Sequence, residues 1–431
     1  MTGIAVSLCR IGRKIIGAAT ALGITALVVA TALVATALSA QDATPAPHPL
    51  RYLDTAFENA SPLWWEVDAD GSVQIHLIYD QERTSPNRAN GHWLFRVEAE
   101  PGAELTLVLG PFANIWNRQP SRPIPEAKVA FVSDDGRQWR AIDTEPAEPH
   151  WLRMRVQMTG ESLYVARLEP YRLSDLERLK ADIGDHPLVE ITPIGRTVEQ
   201  RELEIVRVGK PDAPHRILLR ARAHPWEPGG NWVVEGLVRR LLRGDDDARR
   251  YLDRYCVYVL PIANKDGVAR GRTRFNMRGM DLNRNWDLPA DESLAPENSA
   301  LEKWLEKVIA AGGRPDLMID FHNDAGGRLH ISRPDMAPAA LEAYLARMEQ
   351  FEQLLREHTW FTEGSTKSTF RNPGSIGEGL LARYGIAACV HELNANWIAG
   401  LDDYATAQNW VTYGEQLATV FDRYFAADSP P

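Results

Sequence analysis

Between residues 51 and 172 apolar and polar side chains alternate with a period of two. The runs Val73-Gln74-Ile75-His76-Leu77, Leu105-Thr106-Leu107-Val108-Leu109 and Lys128-Val129-Ala130-Phe131-Val132 show the pattern, and Trp93 to Val97 and Leu163 to Val165 continue it. Alternation of this kind sends successive side chains to opposite faces of a sheet. Asp70-Gly71, Pro101-Gly102 and Asp135-Gly136 separate the runs as turn pairs. No helical period interrupts them, so the pattern predicts an all-β sandwich domain over 51–172. Its tryptophans (Trp64, Trp65, Trp93, Trp116, Trp139 and Trp151) are expected to pack in the core, because aromatic rings favour half-buried strands.

Residues 173–189 read as a short helical connector, and the pattern then changes. Continuous apolar runs at Ile217 to Leu219, Cys256 to Leu260, Leu317 to Ile319 and Ile386 to Val390 alternate with amphipathic segments such as Trp232 to Leu242 and Asn298 to Ala311. Strands that are apolar on both faces need cover on both faces. The fold predicted for 190–425 is α/β, a mixed, largely parallel sheet with helices on both faces, preceded by the all-β sandwich.

The first forty residues stand apart. Arg10, Arg13 and Lys14 precede an uncharged run from Ile15 to Leu38, closed by Ser39-Ala40. This order predicts a signal peptide or membrane anchor over 1–40, then a linker over 41–50. The chain is expected to be exported, periplasmic or extracellular, and held at a membrane only if the segment stays uncleaved. A formal net charge of −10 speaks against nucleic acid and anionic lipid as partners. Cys256 and Cys389 lie in apolar runs and are expected to be buried thiols.

Residues that are costly to bury follow the apolar runs. His224 and Glu227 come after the first, Asn264 and Asp266 after the second, His322 after the third and Glu392 after the fourth. In open α/β sheets the carboxyl ends of strands are where ligand crevices form. His224-Pro225-Trp226-Glu227 sets an imidazole and a carboxylate on a segment that Pro225 and Pro228 keep from regular helix. Such ligands suit zinc, whose catalytic sites take two histidines and one glutamate and leave a fourth position for water. Asn283-Arg284 suits a carboxylate ligand, since a guanidinium pairs with it bidentately and the amide adds a donor. Arg274 is a second cation, able to polarise a carbonyl or stabilise an oxyanion.

The stretch from Asn264 to Trp286, with Asp281-Leu282-Asn283-Arg284 inside it and His322 and Glu392 downstream, resembles the zinc metallocarboxypeptidase family that includes the pancreatic carboxypeptidases. Within that family it is most similar to the cytosolic-carboxypeptidase-like branch, which carries an N-terminal β-sandwich. The resemblance implies a carboxypeptidase-like fold and one zinc ion on His224, Glu227 and His322. It further implies that Asp281 bonds the far nitrogen of His224, that Asn283 and Arg284 hold the substrate's terminal carboxylate, and that Arg274 sits at the scissile carbonyl. Glu392 would be the general base and then the acid, and the substrates would be the C-termini of peptides or proteins.

Phe370 stands where the family has a tyrosine over the substrate, and a phenyl ring covers without donating a hydrogen bond. Arg371, in the stretch implied to line the side-chain pocket, would favour an acidic terminal residue. His330 and His391 are expected to be structural, His391 because it alternates with Glu392. Two other readings use the same features: a zinc-dependent deacylase or amidase for N-acyl amino acids or cell-wall peptides, and a non-catalytic peptide- or glycan-binding protein. Asn283-Arg284 favours peptides over the first, and retention of Glu392 counts against the second.

Overall fold

The computed structural model describes residues 47–80, 85–120, 127–147, 149–367 and 369–426. The signal or anchor expected over 1–40, and most of the expected linker, lie outside the described residues. Leu50, the last residue of that linker as read from sequence, already belongs to the first strand.

The alternating runs pair into two five-stranded sheets. One runs, in spatial order, Leu50–Asp54, Leu94–Ala99, Ser162–Ala166, Val129–Ser133 and Arg140–Asp143. The other runs Glu145–Pro146, Leu152–Gln157, Glu104–Gly110, Val73–Leu77 and Leu63–Val67. Val73, Ile75, Leu107 and Leu109 of one sheet meet Phe95, Val97, Leu163 and Val165 of the other in a shared core, as a sandwich requires. Trp93 is buried among them, but Trp64 is 51% exposed and Trp116 is 43% exposed, against the expectation that the tryptophans fill the core. Period two explains Trp64: it falls on the outward side of its strand and stacks on His76, with ring centroids 3.5 Å apart.

The second half is built on one seven-stranded sheet. Its strands are β1 (Val189–Arg196), β2 (Glu202–Val208), β3 (His215–Ala221), β4 (Tyr255–Leu260), β5 (Leu317–Asp324), β6 (Leu329–His330) and β7 (Ala387–Asn394), in the spatial order β1-β2-β4-β3-β5-β7-β6. The central pairs β4/β3, β3/β5 and β5/β7 are parallel, and the outer pairs are antiparallel. Eight helices are described: α1 (Leu173–Ile183), α2 (Gly229–Leu241), α3 (Asp246–Arg254), α4 (Lys265–Ala269), α5 (Pro296–Ala310), α6 (Pro338–His358), α7 (Ile376–Tyr384) and α8 (Ala407–Ala426). Helices α2, α3, α6 and α8 pack on one face through Val233, Leu237, Tyr251, Phe351 and Phe421. The other face is covered by α5 and α7, through Leu301, Leu305, Ile376 and Leu380. Val129 and Phe131 of the sandwich join the first of these clusters, so the chain from Pro49 on is a single compact unit. Cys256 and Cys389 are buried free thiols.

Parallel register places His322 of β5 directly opposite Glu392 of β7. His391 therefore faces the other side, where its Nε2 meets the Tyr413 hydroxyl at 2.6 Å, as alternation predicts.

Helix α2 begins just after Glu227 and is seated by close contact with α8. A Cβ on Gly414 would lie 1.9 Å from the Val233 carbonyl oxygen, and one on Gly236 would lie 2.1 Å from that of Val411. Neither neighbour is a flexible side-chain tip, so the helices would have to part. Gly414→Ala should lower unfolding free energy by about 1–3 kcal/mol, read from urea denaturation; an unchanged midpoint would contradict the close crossing.

Candidate active site

The first ligand loop is bent by its own residues. After β3, Arg222 adopts the left-handed region at φ 62°, and its guanidinium donates to the Pro225 carbonyl at 2.7 Å and to Asn231 Oδ1 at 3.1 Å. The chain thus turns back on itself before α2 and carries His224 and Glu227 on the turn. Helix α4 presses against this loop at Gly267, where a Cβ would lie 2.3 Å from Pro225 Cγ. His322 comes from β5, the strand next to β3.

These three side chains converge. Glu227 Oε1 lies 2.9 Å from His224 Nδ1, Glu227 Oε2 lies 2.7 Å from His322 Nδ1, and the two Nδ1 atoms are 3.1 Å apart. The outer nitrogens are engaged as well: His224 Nε2 meets Asp281 Oδ1 at 3.1 Å, and His322 Nε2 meets Asp320 Oδ2 at 2.7 Å. With a metal bound, each outer carboxylate would hold the ring proton on Nε2 and leave the Nδ1 lone pair to face inward. Although Glu227 Oε2 is close to His322 Nδ1, it has no properly directed hydrogen bond.

The buried imidazoles and carboxylates at this point act on one another's charge. Burial would raise Glu227, but the two imidazoles pull its carboxyl down to about 2. Burial likewise opposes a charged His322, yet Asp320 and Glu227 lift it well above the ordinary histidine value. In a pocket where His224, Glu227 and His322 are all buried, inward lone pairs facing a carboxylate fit a divalent cation, and the imidazole-plus-carboxylate donor set suits zinc.

A cavity of about 390 Å³ opens beside these residues and is lined by Glu392, Arg274, Asn283 and Arg284, among others. Burial raises the Glu392 carboxyl well above its usual range, the nearby Asp324 charge adds to this, and its Oε2 has no hydrogen-bond partner among the described residues. Arg274 donates from Nε to Asp281 Oδ2 at 2.9 Å and stacks over Trp116, 4.7 Å from the ring centroid. Arg284 donates Nη1 to its neighbour's carbonyl at 2.7 Å, and no carboxylate within ion-pair distance of it is found among the described residues. Asn283 accepts from the Ile376 amide at 3.0 Å, and its Nδ2 lies 3.3 Å from His322 Nε2.

The structure brings together His224, Glu227, His322, Asp281, Arg274, Asn283, Arg284 and Glu392. It does not bring the rest. Phe370 is absent from the cavity lining and packs on His330 at a centroid distance of 4.9 Å. Arg371 turns away to Glu378 at 2.9 Å and Asp335 at 3.5 Å, because those carboxylates neutralise it. It does not line the cavity. Asn264 caps α4, and Asp266 is tied to Thr197 and Arg201.

Other residues enter that the sequence had left aside. His330, expected to be structural, lines the cavity, because β6 folds back antiparallel on β7 and returns it to the face that carries Val390 and Glu392. Asp324, His330 and Glu392 place polar atoms within 4.8 Å of one another. Asp320 stands two residues before His322 on the same strand face, a spacing that strand periodicity makes legible. Arg88, Asn90, Asn114 and Trp116 reach the cavity from the sandwich, which no local pattern announces.

Residues 176–331 match the zinc carboxypeptidase family. This segment carries a zinc carboxypeptidase domain. The matched segment includes all three candidate ligands and the Arg274 to Arg284 stretch, and it ends before Glu392. The chain is 28% identical over 196 residues to a protein of Zymomonas mobilis, covering 45% of this chain and 49% of that one. It is 28% identical over 197 residues to cytosolic carboxypeptidase 6 of Caenorhabditis elegans, covering 44% of this chain and 40% of that one. The chain thus spans less than half the length of these two relatives. A solved metallo-carboxypeptidase from Burkholderia cenocepacia shares the fold, with a TM-score of 0.74 at 21% identity, covering 88% of this chain and 99% of that one.

Removal of any one ligand should empty the carboxypeptidase domain of metal. His322→Ala or Glu227→Gln is expected to lose stoichiometric zinc, while Asp320→Asn and Asp281→Asn keep it with about 10- to 100-fold weaker affinity. Metal analysis after dialysis and competition with a chelator checks this. Wild-type affinity in His322→Ala would place the metal elsewhere.

Proposed function

We propose that the protein is a zinc-dependent carboxypeptidase that hydrolyses the C-terminal amide bond of peptides. The observation that carries this reading is the cavity's division of labour: a cation-demanding pocket and a buried carboxylate, Glu392, face a guanidinium, Arg284, that has no acidic partner among the described residues. An unpaired guanidinium beside an amide donor suits a free carboxylate bidentately. Arg284 and Asn283 bind the terminal carboxylate and so fix which amide lies within reach. What zinc supplies when bound by His224, Glu227 and His322 is Lewis acidity, which acidifies water and stabilises negative charge on oxygen. Glu392 takes a proton from the attacking water and delivers it to the departing amine nitrogen. Arg274, held by Asp281, presents positive charge to the carbonyl oxygen as the tetrahedral centre forms.

Export belongs to this reading on the strength of the basic start and apolar run within residues 1–40. Fractionation with mass spectrometry of the N-terminal peptide tests it, and a full-length chain in the cytosol would refute it.

A peptide mixture incubated with zinc-loaded protein should lose residues one at a time from its C-termini, as read by mass spectrometry, and amidated peptides should survive. Glu392→Gln is expected to keep its zinc and lose about 10²- to 10⁴-fold in kcat. Arg284→Ala should lose about 10- to 100-fold in kcat/KM, the loss of one charged hydrogen-bonded contact. Cleavage of amidated and free peptides at equal rates would rule out the carboxylate clamp.

A further inference from the structure

One contact between the sandwich and the carboxypeptidase domain ends at the catalytic cavity. Asp80 lies just beyond the strand Val73–Leu77, and its buried carboxylate accepts from three consecutive backbone amides 193 to 195 residues away. Thr273 N donates at 3.0 Å to Oδ1, Arg274 N at 2.6 Å to Oδ2 and Phe275 N at 3.0 Å to Oδ2. Successive amides turned toward one point form an anion-binding concavity. Here the anion is supplied by the chain itself. An asparagine in its place would offer one acceptor oxygen and turn an NH₂ group toward a donor.

The same segment is fastened again on either side. Thr273 Oγ1 accepts from the Gly91 and His92 amides at 3.3 Å each, and the Thr273 carbonyl accepts from Trp226 N, inside the ligand loop, at 3.2 Å. The Arg274 side chain leaves this fixed backbone, passes under Trp116 of the sandwich and ends on Asp281, which in turn holds His224. A continuous line of contacts thus runs from the sandwich to a candidate ligand.

We propose that Asp80 is a positioning residue for Arg274, so that the N-terminal sandwich is part of the catalytic apparatus. This rests on the carboxypeptidase reading above for its kinetic consequence, but the brace itself is a property of the fold. Asp80 touches no reacting atom. It fixes the backbone from which Arg274 reaches the carbonyl oxygen, and a small displacement there is felt in kcat more than in KM.

The test is a double-mutant cycle on the full chain, with Asp80→Asn, Arg274→Ala and the pair, assayed on one peptide with a free C-terminus. Asp80→Asn should lower kcat about 10- to 100-fold with KM nearly constant, and in the Arg274→Ala background it should cost less than about threefold more. Equal losses in both backgrounds, or loss of bound zinc in Asp80→Asn, would overturn the proposal. Asp80→Glu, which keeps both acceptor oxygens, should recover part of the rate, and no recovery counts against it. Hydrogen exchange decides independently of activity. The amides of 273–275 should exchange faster in Asp80→Asn while β5 and β7 keep wild-type protection, and uniform deprotection would reduce Asp80 to a general structural role. If the wild-type protein shortens no peptide, the functional reading fails, and the exchange pattern alone accepts or rejects the brace.

Discussion

Two imidazole nitrogens face each other across 3.1 Å with a carboxylate at their side, all of them buried. Left uncompensated, that arrangement repels itself, so the site depends on a positive charge at the point of convergence and on rigid surroundings that keep the donors aimed there. The surroundings alternate in sign. Behind the histidines stand Asp281 and Asp320, and behind those carboxylates stand Arg274 and the buried Arg220, which also donates to the Leu282 carbonyl at 2.8 Å. Each charge in this series has an opposite neighbour, which is how a protein retains such ionised groups away from water.

The parallel core of the sheet turns this local order into a site. Strands β3, β5 and β7 run side by side in one direction, so the residues at or just past the carboxyl end of each strand are delivered to the same edge. His322 and Glu392 are register partners, which puts a buried carboxylate next to a candidate ligand without any loop having to search for it. The sandwich closes the arrangement from the other side. Trp116 covers Arg274, Asp80 grips the backbone beneath it, and Arg167 donates to the Ala395 carbonyl at 3.2 Å and Asn396 at 2.9 Å, just past Glu392. The stretches that carry Arg274 and Glu392 are therefore both held by a part of the chain more than a hundred residues away.

This geometry explains how much of the site was legible in the sequence. The change of period from two to alternating strand and helix separated the sandwich from the α/β sheet, and the polar residues after apolar runs marked one edge. Alternation placed His391 correctly. It could not place His330, because the reversal of β6 onto β7 depends on long-range pairing. Ungapped counting assigned Phe370 to the substrate, whereas its ring packs on His330 and is absent from the cavity lining. Arg371 looked like a free cation because its partner Glu378 lies on the next helix, and its pairing is decided by tertiary packing. Asp80, Asn90 and Trp116 carry no local signal, since a carboxylate or an aromatic ring at the end of a strand is ordinary until the second half of the chain is laid against it.

The central claim is that His224, Glu227 and His322 together hold zinc. The most direct measurement is zinc X-ray absorption on the purified full chain carrying one equivalent of metal. The account predicts four-coordinate zinc with two imidazole nitrogens and carboxylate oxygen at about 2.0–2.2 Å. Sulfur ligation, a spectrum without imidazole, or failure to retain one zinc per chain would contradict it.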